Sequence, residues 1–267
     1  MLDGEIKIFD PQESEESIAI IEKGQPLSEE ALMDEPGVHS KNAQALAPSK
    51  VLILSSSAFK GFMVQHPSGA AQILQNIAQM LAVRLKSSNR RIITIYRIGK
   101  ILGDPEARKD IKILSEKILS TILSVIKAAM GLILIKNPHK KEFLATAFYG
   151  YTGNDVAKIL ETMKDSSSLN DVLGNAKTIS INSGEEIKKQ EFSSLATKSL
   201  LISPMVNEDT LGAIILADKK DPQGFSTRNQ ILLSIITKEV TLSIAEAKFR
   251  EEKRAEEEFE RVYIEGL

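Results

Sequence analysis

Two apolar runs, SLLISPMV (199–206) and LGAIILAD (211–218), stand either side of the polar triplet Asn207, Glu208 and Asp209. Short aliphatic runs joined by a tight polar turn form an antiparallel hairpin, since a few polar residues suffice to reverse an extended chain. A second such pair, GLILIK and EFLATAFYG, meets around Asn137 and Pro138. Before it, Ile111, Leu114, Ile118, Ile122 and Val125 recur on one face of a helix. Two hairpins flanked by amphipathic helices confine this part of the chain to an α+β unit on an antiparallel sheet.

Where that unit starts is marked by Gly103, Asp104 and Pro105, which in that order read as a helix stop, an N-cap and a first-turn proline. Upstream, residues 68–104 read as connecting helices. Ile73, Ile77, Leu81 and Leu85 recur every four residues and share a stripe with Met80, and Ser87, Ser88 and Asn89 interrupt it before Ile92. Residues 1–67 carry EIKIF, SIAII and KVLIL between Pro, Gly and Ser clusters, the pattern of strands in a small antiparallel sheet. From Ser226 one helix runs to about Gly266, apolar through Lys248 and highly charged beyond. Ala255, Phe259 and Val262 in its polar half have the spacing of a coiled-coil seam, and a solvated charged tail is the other reading. The expected division is thus 1–67, 68–104, 105–248 and 249–267.

Composition narrows the chemistry. A chain of 267 residues that is 42% hydrophobic can bury two ordinary cores. Its net charge of −2 provides no global field for nucleic acid or an anionic membrane, so neither is expected as a partner. The absence of cysteine excludes disulfides, thiolate nucleophiles, Cys-based metal sites and thioether-linked chromophores. The opening residues lack the basic and apolar regions of a signal peptide, and no apolar stretch reaches about 18 residues, so a cytoplasmic location is expected.

The catalytic motifs are weak. Ser57-Ala58-Phe59-Lys60 fits S-x-x-K without the companion elements of that chemistry, and Glu30-Ala31-Leu32 stands without the metal-binding carboxylates of a phosphodiesterase barrel. His39, His66 and His139 are too scattered for a shared metal site. The expectation is no catalytic residue, no metal and no required cofactor, hence no enzyme.

The segment from Ser199 to Lys248, together with IYRIGKIL, the helix after Pro105 and GLILIKNPHKKEFLATAFYG, resembles a GAF domain over Ile95–Lys248. The resemblance implies a central antiparallel sheet with helices on one side and a small-molecule pocket under variable loops on the other. In cyclic-nucleotide-binding members an Asn-Lys pair precedes a Phe and an acidic pair. Here the matching positions are Asp218, Lys219, Phe225, Asn229 and Gln230, so Asp replaces Asn, amides replace the acids, and a Lys-to-carboxylate bridge is lost. Phe148, Tyr149, Tyr151 and Thr152 fall where such a pocket would be lined.

The N-terminal part, from GQPLSEEAL through the His66-Pro67 corner, resembles the later half of a cyclic-nucleotide-binding domain of the catabolite-activator type, as a partial β-roll. In that resemblance Ser28, Glu29, His39, Ser40 and Lys41 fall on the phosphate-binding cassette, with His39 at the place of an Arg. The two resemblances imply a non-catalytic signalling protein that senses a small molecule, with a cyclic nucleotide as candidate ligand. It would dimerise through its long helices and act on a downstream signalling protein. The alternatives are a structural dimerisation adaptor with vestigial pockets, and a regulatory fragment of a larger cyclase, phosphodiesterase or kinase.

Overall fold

The hairpin expected over residues 199–218 forms as β7 (Leu200–Val206) and β8 (Thr210–Lys219), closed by a bond from the Asn207 N–H to the Asp209 carbonyl at 3.0 Å. The other hairpin is β4 (Ala128–Lys136) with β5 (Phe143–Tyr149). With β6 (Ile179–Ile181) these strands make one sheet, ordered β5-β4-β8-β7-β6, in which every neighbouring pair is antiparallel. The computed structural model describes residues 1–10, 14–29, 41–137, 142–164 and 166–265. Its contacts divide the chain into two units, Met1–Arg90 and Arg91–Leu267. That division falls between residues 90 and 91, upstream of the boundary read at Gly103–Pro105.

In the first unit β1 (Ile6–Asp10) lies between β2 (Ser14–Ile21) and β3 (Asn42–Ala45), antiparallel to both. KVLIL, expected as a strand, is not one. The place beside β1 is taken by the polar run Asn42–Ala45, and Val51–Leu54 are left exposed without a ladder partner. Helix α1 (Ser56–Gln65) is capped by the Ser55 hydroxyl, which accepts from the Ala58 N–H, and it buries Phe59. Helix α2 runs unbroken from Pro67 to Leu102. The expected interruption at Ser87–Asn89 is absent, because three polar residues on a solvated helix face cost only a few tenths of a kcal/mol each.

In the second unit α3 (Ile111–Ile126) starts later than Pro105 suggested. Asp110 caps it, accepting from the Lys112 and Ile113 N–H groups at 2.7 and 3.3 Å. Asp104 instead caps the turn ahead of it through the Glu106 N–H and pairs with Lys117 at 2.7 Å. Helices α4 (Gly153–Met163), α5 (Ser167–Gly174) and α6 (Gly184–Lys189) occupy the Ser-, Asn- and Lys-rich segment, and α7 (Thr227–Glu265) closes the chain.

Alternate residues of the sheet feed two cores. Ile133, Ile135, Leu201, Ile214 and Leu216 pack with α3 and with Leu233, Ile236, Val240 and Ile244 of α7. Leu132, Leu134, Leu200, Ile202 and Ile215 face a second core with Ile159, Leu169, Phe192 and Leu195. Strand β5 serves both. A bulge at Thr146, where Ile133 pairs with Ala147 and Leu134 with Ala145, turns Phe143 to one core and Ala147 to the other. The expected α+β class with its antiparallel sheet is what the structure has.

Candidate functional site

The five signature positions converge on the junction between β8 and α7. Asp218 has a left-handed backbone, φ +49°, and its carboxylate points back across the sheet end. It accepts from the Lys198 N–H at 2.7 Å, the Thr197 hydroxyl at 2.8 Å, the Thr197 N–H at 3.0 Å and the Ser199 N–H at 3.2 Å. Burial works to raise this carboxyl, but these donors outweigh it and hold the group below the ordinary Asp range.

Next along β8, the Lys219 ammonium donates to the Asn229 side-chain carbonyl at 2.7 Å. That oxygen also accepts from the Ser226 N–H and hydroxyl, both at 3.2 Å, so Asn229 closes the N-terminal turn of α7. Lys219 is thus bonded to an amide at the place where the resemblance points to a carboxylate. Gln230 donates to the Ser180 hydroxyl of β6 at 2.5 Å.

Phe225 is fully buried, and its backbone is gripped by one side chain. Asn182 accepts from the Phe225 N–H at 2.8 Å and donates to its carbonyl at 2.9 Å. Asn182, Ser180 and Thr197 belong to this junction although sequence reading did not single them out. They lie 20 to 50 residues upstream of their partners, and nothing local to them marks the pairing.

The four residues expected to line a pocket are not brought together. Phe148 and Tyr149 are exposed at 45% and 62% on edge strand β5. Thr152 caps α4 in a reciprocal box with Asp155. Only Tyr151 turns inward, where its hydroxyl donates to the Leu195 carbonyl at 2.6 Å. Burial, and then the Asp218 charge, push this phenol above its ordinary pKa, so it remains a donor. The sheet face beneath carries the core of Phe192, Leu195, Leu169 and Ile159, each at most 1% exposed.

In the first unit, Ser28 has φ +58° and Glu29 is held by Arg84 at 2.6 Å, while Arg84 also donates to the Pro26 carbonyl. Lys41 is exposed, and His39 and Ser40 lie outside the described residues. Ser28 and Glu29 border a cavity of about 980 Å³. Ala255, Phe259 and Val262 fall on α7, where side chains are outside the described residues. Among the described residues no group of three metal-ligating side chains occurs, and no helix is long and apolar enough to cross a membrane.

No family model and no curated protein sequence matches the chain. Solved structures that are similar include the GAF domain of an Acinetobacter phosphoenolpyruvate-protein phosphotransferase, at 14% identity, with 58% of this chain and 95% of that one covered and a TM-score of 0.46. A GAF domain/HD domain protein from Geobacter sulfurreducens matches at 13% identity, with coverage of 54% and 97% and a TM-score of 0.45. Free methionine-R-sulfoxide reductase from Neisseria meningitidis matches at 10% identity, with coverage of 59% and 92% and a TM-score of 0.45.

Proposed function

We propose that the chain is a non-catalytic sensory module in which the GAF-like unit passes a change at its sheet to α7, and that it works as a homodimer through its helices. One observation carries this reading. Lys219–Asn229, Gln230–Ser180 and Asn182–Phe225 all tie the start of α7 to the sheet, while further along the same helix Leu242 and Phe249 are exposed one heptad apart. A helix tied to the sheet at its start, packed on it through Leu233, Ile236, Val240 and Ile244, and exposing Leu242 and Phe249 on another side can carry a change at the sheet to a mate. Ile92 and Tyr96 of α2 and Ile113 of α3 add exposed apolar side chains in the same unit.

A ligand would act by binding one helix arrangement better than the other. A cyclic nucleotide is the candidate, with the α7 face offered to a downstream signalling protein. The packing of Phe192, Leu195 and Leu169 on the second sheet face favours a second reading, a dimerisation adaptor whose GAF-like pocket is filled by its own side chains.

Sedimentation of the wild type beside a Leu242→Glu, Phe249→Glu variant tests the helix reading. The wild type should be dimeric and the variant monomeric with unchanged circular dichroism, and a monomeric wild type would sink the proposal. Thermal shift with cyclic AMP and cyclic GMP separates sensor from adaptor, since only a bound ligand raises the midpoint.

A further inference from the structure

The cavity in the first unit, bordered by Ser28 and Glu29, is lined mostly by aliphatic side chains. It measures about 980 Å³, at the upper end of small-molecule sites. Its walls are aliphatic. Ile6 and Ile21 come from β1 and β2, Ile73 and Ile77 from α2, and Val51–Leu54 form one side. Among the described residues no aromatic ring contributes to this lining, so none of them stacks on a purine.

The wall formed by Val51–Leu54 is unusually exposed, with Leu52 at 76% and Ile53 at 86%. Aliphatic side chains in that state gain free energy when they are covered. A chain-like apolar ligand lying in the cavity covers them.

Charge at the cavity rim selects the head group. The one carboxylate among the described lining residues, Glu29, is engaged with Arg84, and the Met1 ammonium donates to the Gln25 carbonyl at 3.0 Å. Lys60, on α1, has no hydrogen-bonding or ion-pair partner among the described residues. Ser57, one turn earlier, lines the same cavity, its hydroxyl 3.2 Å from that of Ser55. An unmatched ammonium beside a hydroxyl, next to a long aliphatic wall, complements an aliphatic chain ending in a single anion.

We propose that this cavity binds a free aliphatic monocarboxylate, its chain against Ile6, Ile73, Ile77 and Val51–Leu54 and its carboxylate on Lys60. The site does not depend on the relay through α7, and either can fail without the other.

The test is calorimetric titration of the full chain with dodecanoate, its neutral methyl ester and cyclic AMP. Dodecanoate should bind one to one and more tightly than the ester. Lys60→Glu, which reverses one exposed charge, should weaken dodecanoate about five-fold or more and leave the ester within about two-fold. Ile53→Gln, at a site too exposed to affect folding, should weaken both ligands about three-fold. Four outcomes overturn the proposal. They are no saturable dodecanoate binding, equal affinity for acid and ester, cyclic AMP binding in place of dodecanoate, and adsorption to phosphatidylglycerol vesicles or self-association, abolished by Ile53→Gln, with no binding of the free acid.

Discussion

The Lys219 ammonium rests on the Asn229 side-chain carbonyl at 2.7 Å, and the same oxygen closes the first turn of α7. One amide oxygen thus joins a strand end to a helix start. Replacing Asn229 with Asp keeps that geometry and adds charge attraction at a helix N-terminus, so stability should rise by about 0.3–1 kcal/mol. Asn229→Leu should lose about 1–2 kcal/mol. Urea denaturation of both variants checks the opposite signs.

Asp218 provides a pH-dependent prediction. Its folded pKa lies below the unfolded value, so its contribution is fully present above about pH 4 and is lost as pH falls through the lower folded value. Asp218→Asn should cost about 1–2 kcal/mol at pH 7, a charged acceptor's contribution reduced for partial exposure. The gap between wild type and variant should stay level from pH 8 to pH 5 and narrow at pH 3.

Asn182→Ala removes both bonds to the Phe225 backbone and leaves a donor and an acceptor unpartnered beside a buried ring. The expected loss is about 2–4 kcal/mol, concentrated at the β8–α7 junction. Amide exchange should accelerate at Phe225 and the first turn of α7 more than at α3. Uniform acceleration would show that the junction is not a separate structural element.

Helix α3 crosses β4 where Gly131 presents no side chain. A methyl there would meet Leu119 Cδ1 at 2.8 Å and Leu123 Cδ2 at 3.1 Å. Gly131→Val should therefore destabilise by about 1–3 kcal/mol or more through overpacking. Leu119→Ala in the same chain should recover part of that loss, which a double-mutant cycle in denaturant measures directly.

Both hairpins and α7 are legible in the sequence because their apolar runs are long, periodic and bounded by polar turns. Strand β6 and helices α4 to α6 are not, since each is short and fixed by contacts with distant residues. Their local marks are N-caps, Thr152 with Asp155, Ser166 and Ser183, inside a segment otherwise rich in polar residues. The apolar pattern of KVLIL expresses a tendency to be covered and names no partner. β3 pairs with β1 through its backbone while all four of its side chains stay exposed. Lys219 and Phe225 can be picked out from local order, whereas Asn182 is 43 residues from the ring it secures.

The bulge at Thr146 gives β5 one residue more than its ladder with β4 uses, so the strand has a residue to spare. Exchanging Thr146 for another small polar residue leaves Phe143 and Ala147 in their separate cores. Deleting it would close the bulge: Phe143, Leu144, Ala145 and Ala147 would then pair with Lys136, Ile135, Leu134 and Ile133 in unbroken alternation, and Phe143 and Ala147 would keep their separate cores. A scan of single-residue deletions across 143–149 should therefore find its greatest tolerance at 146, the position whose loss leaves every other pair of the ladder in place.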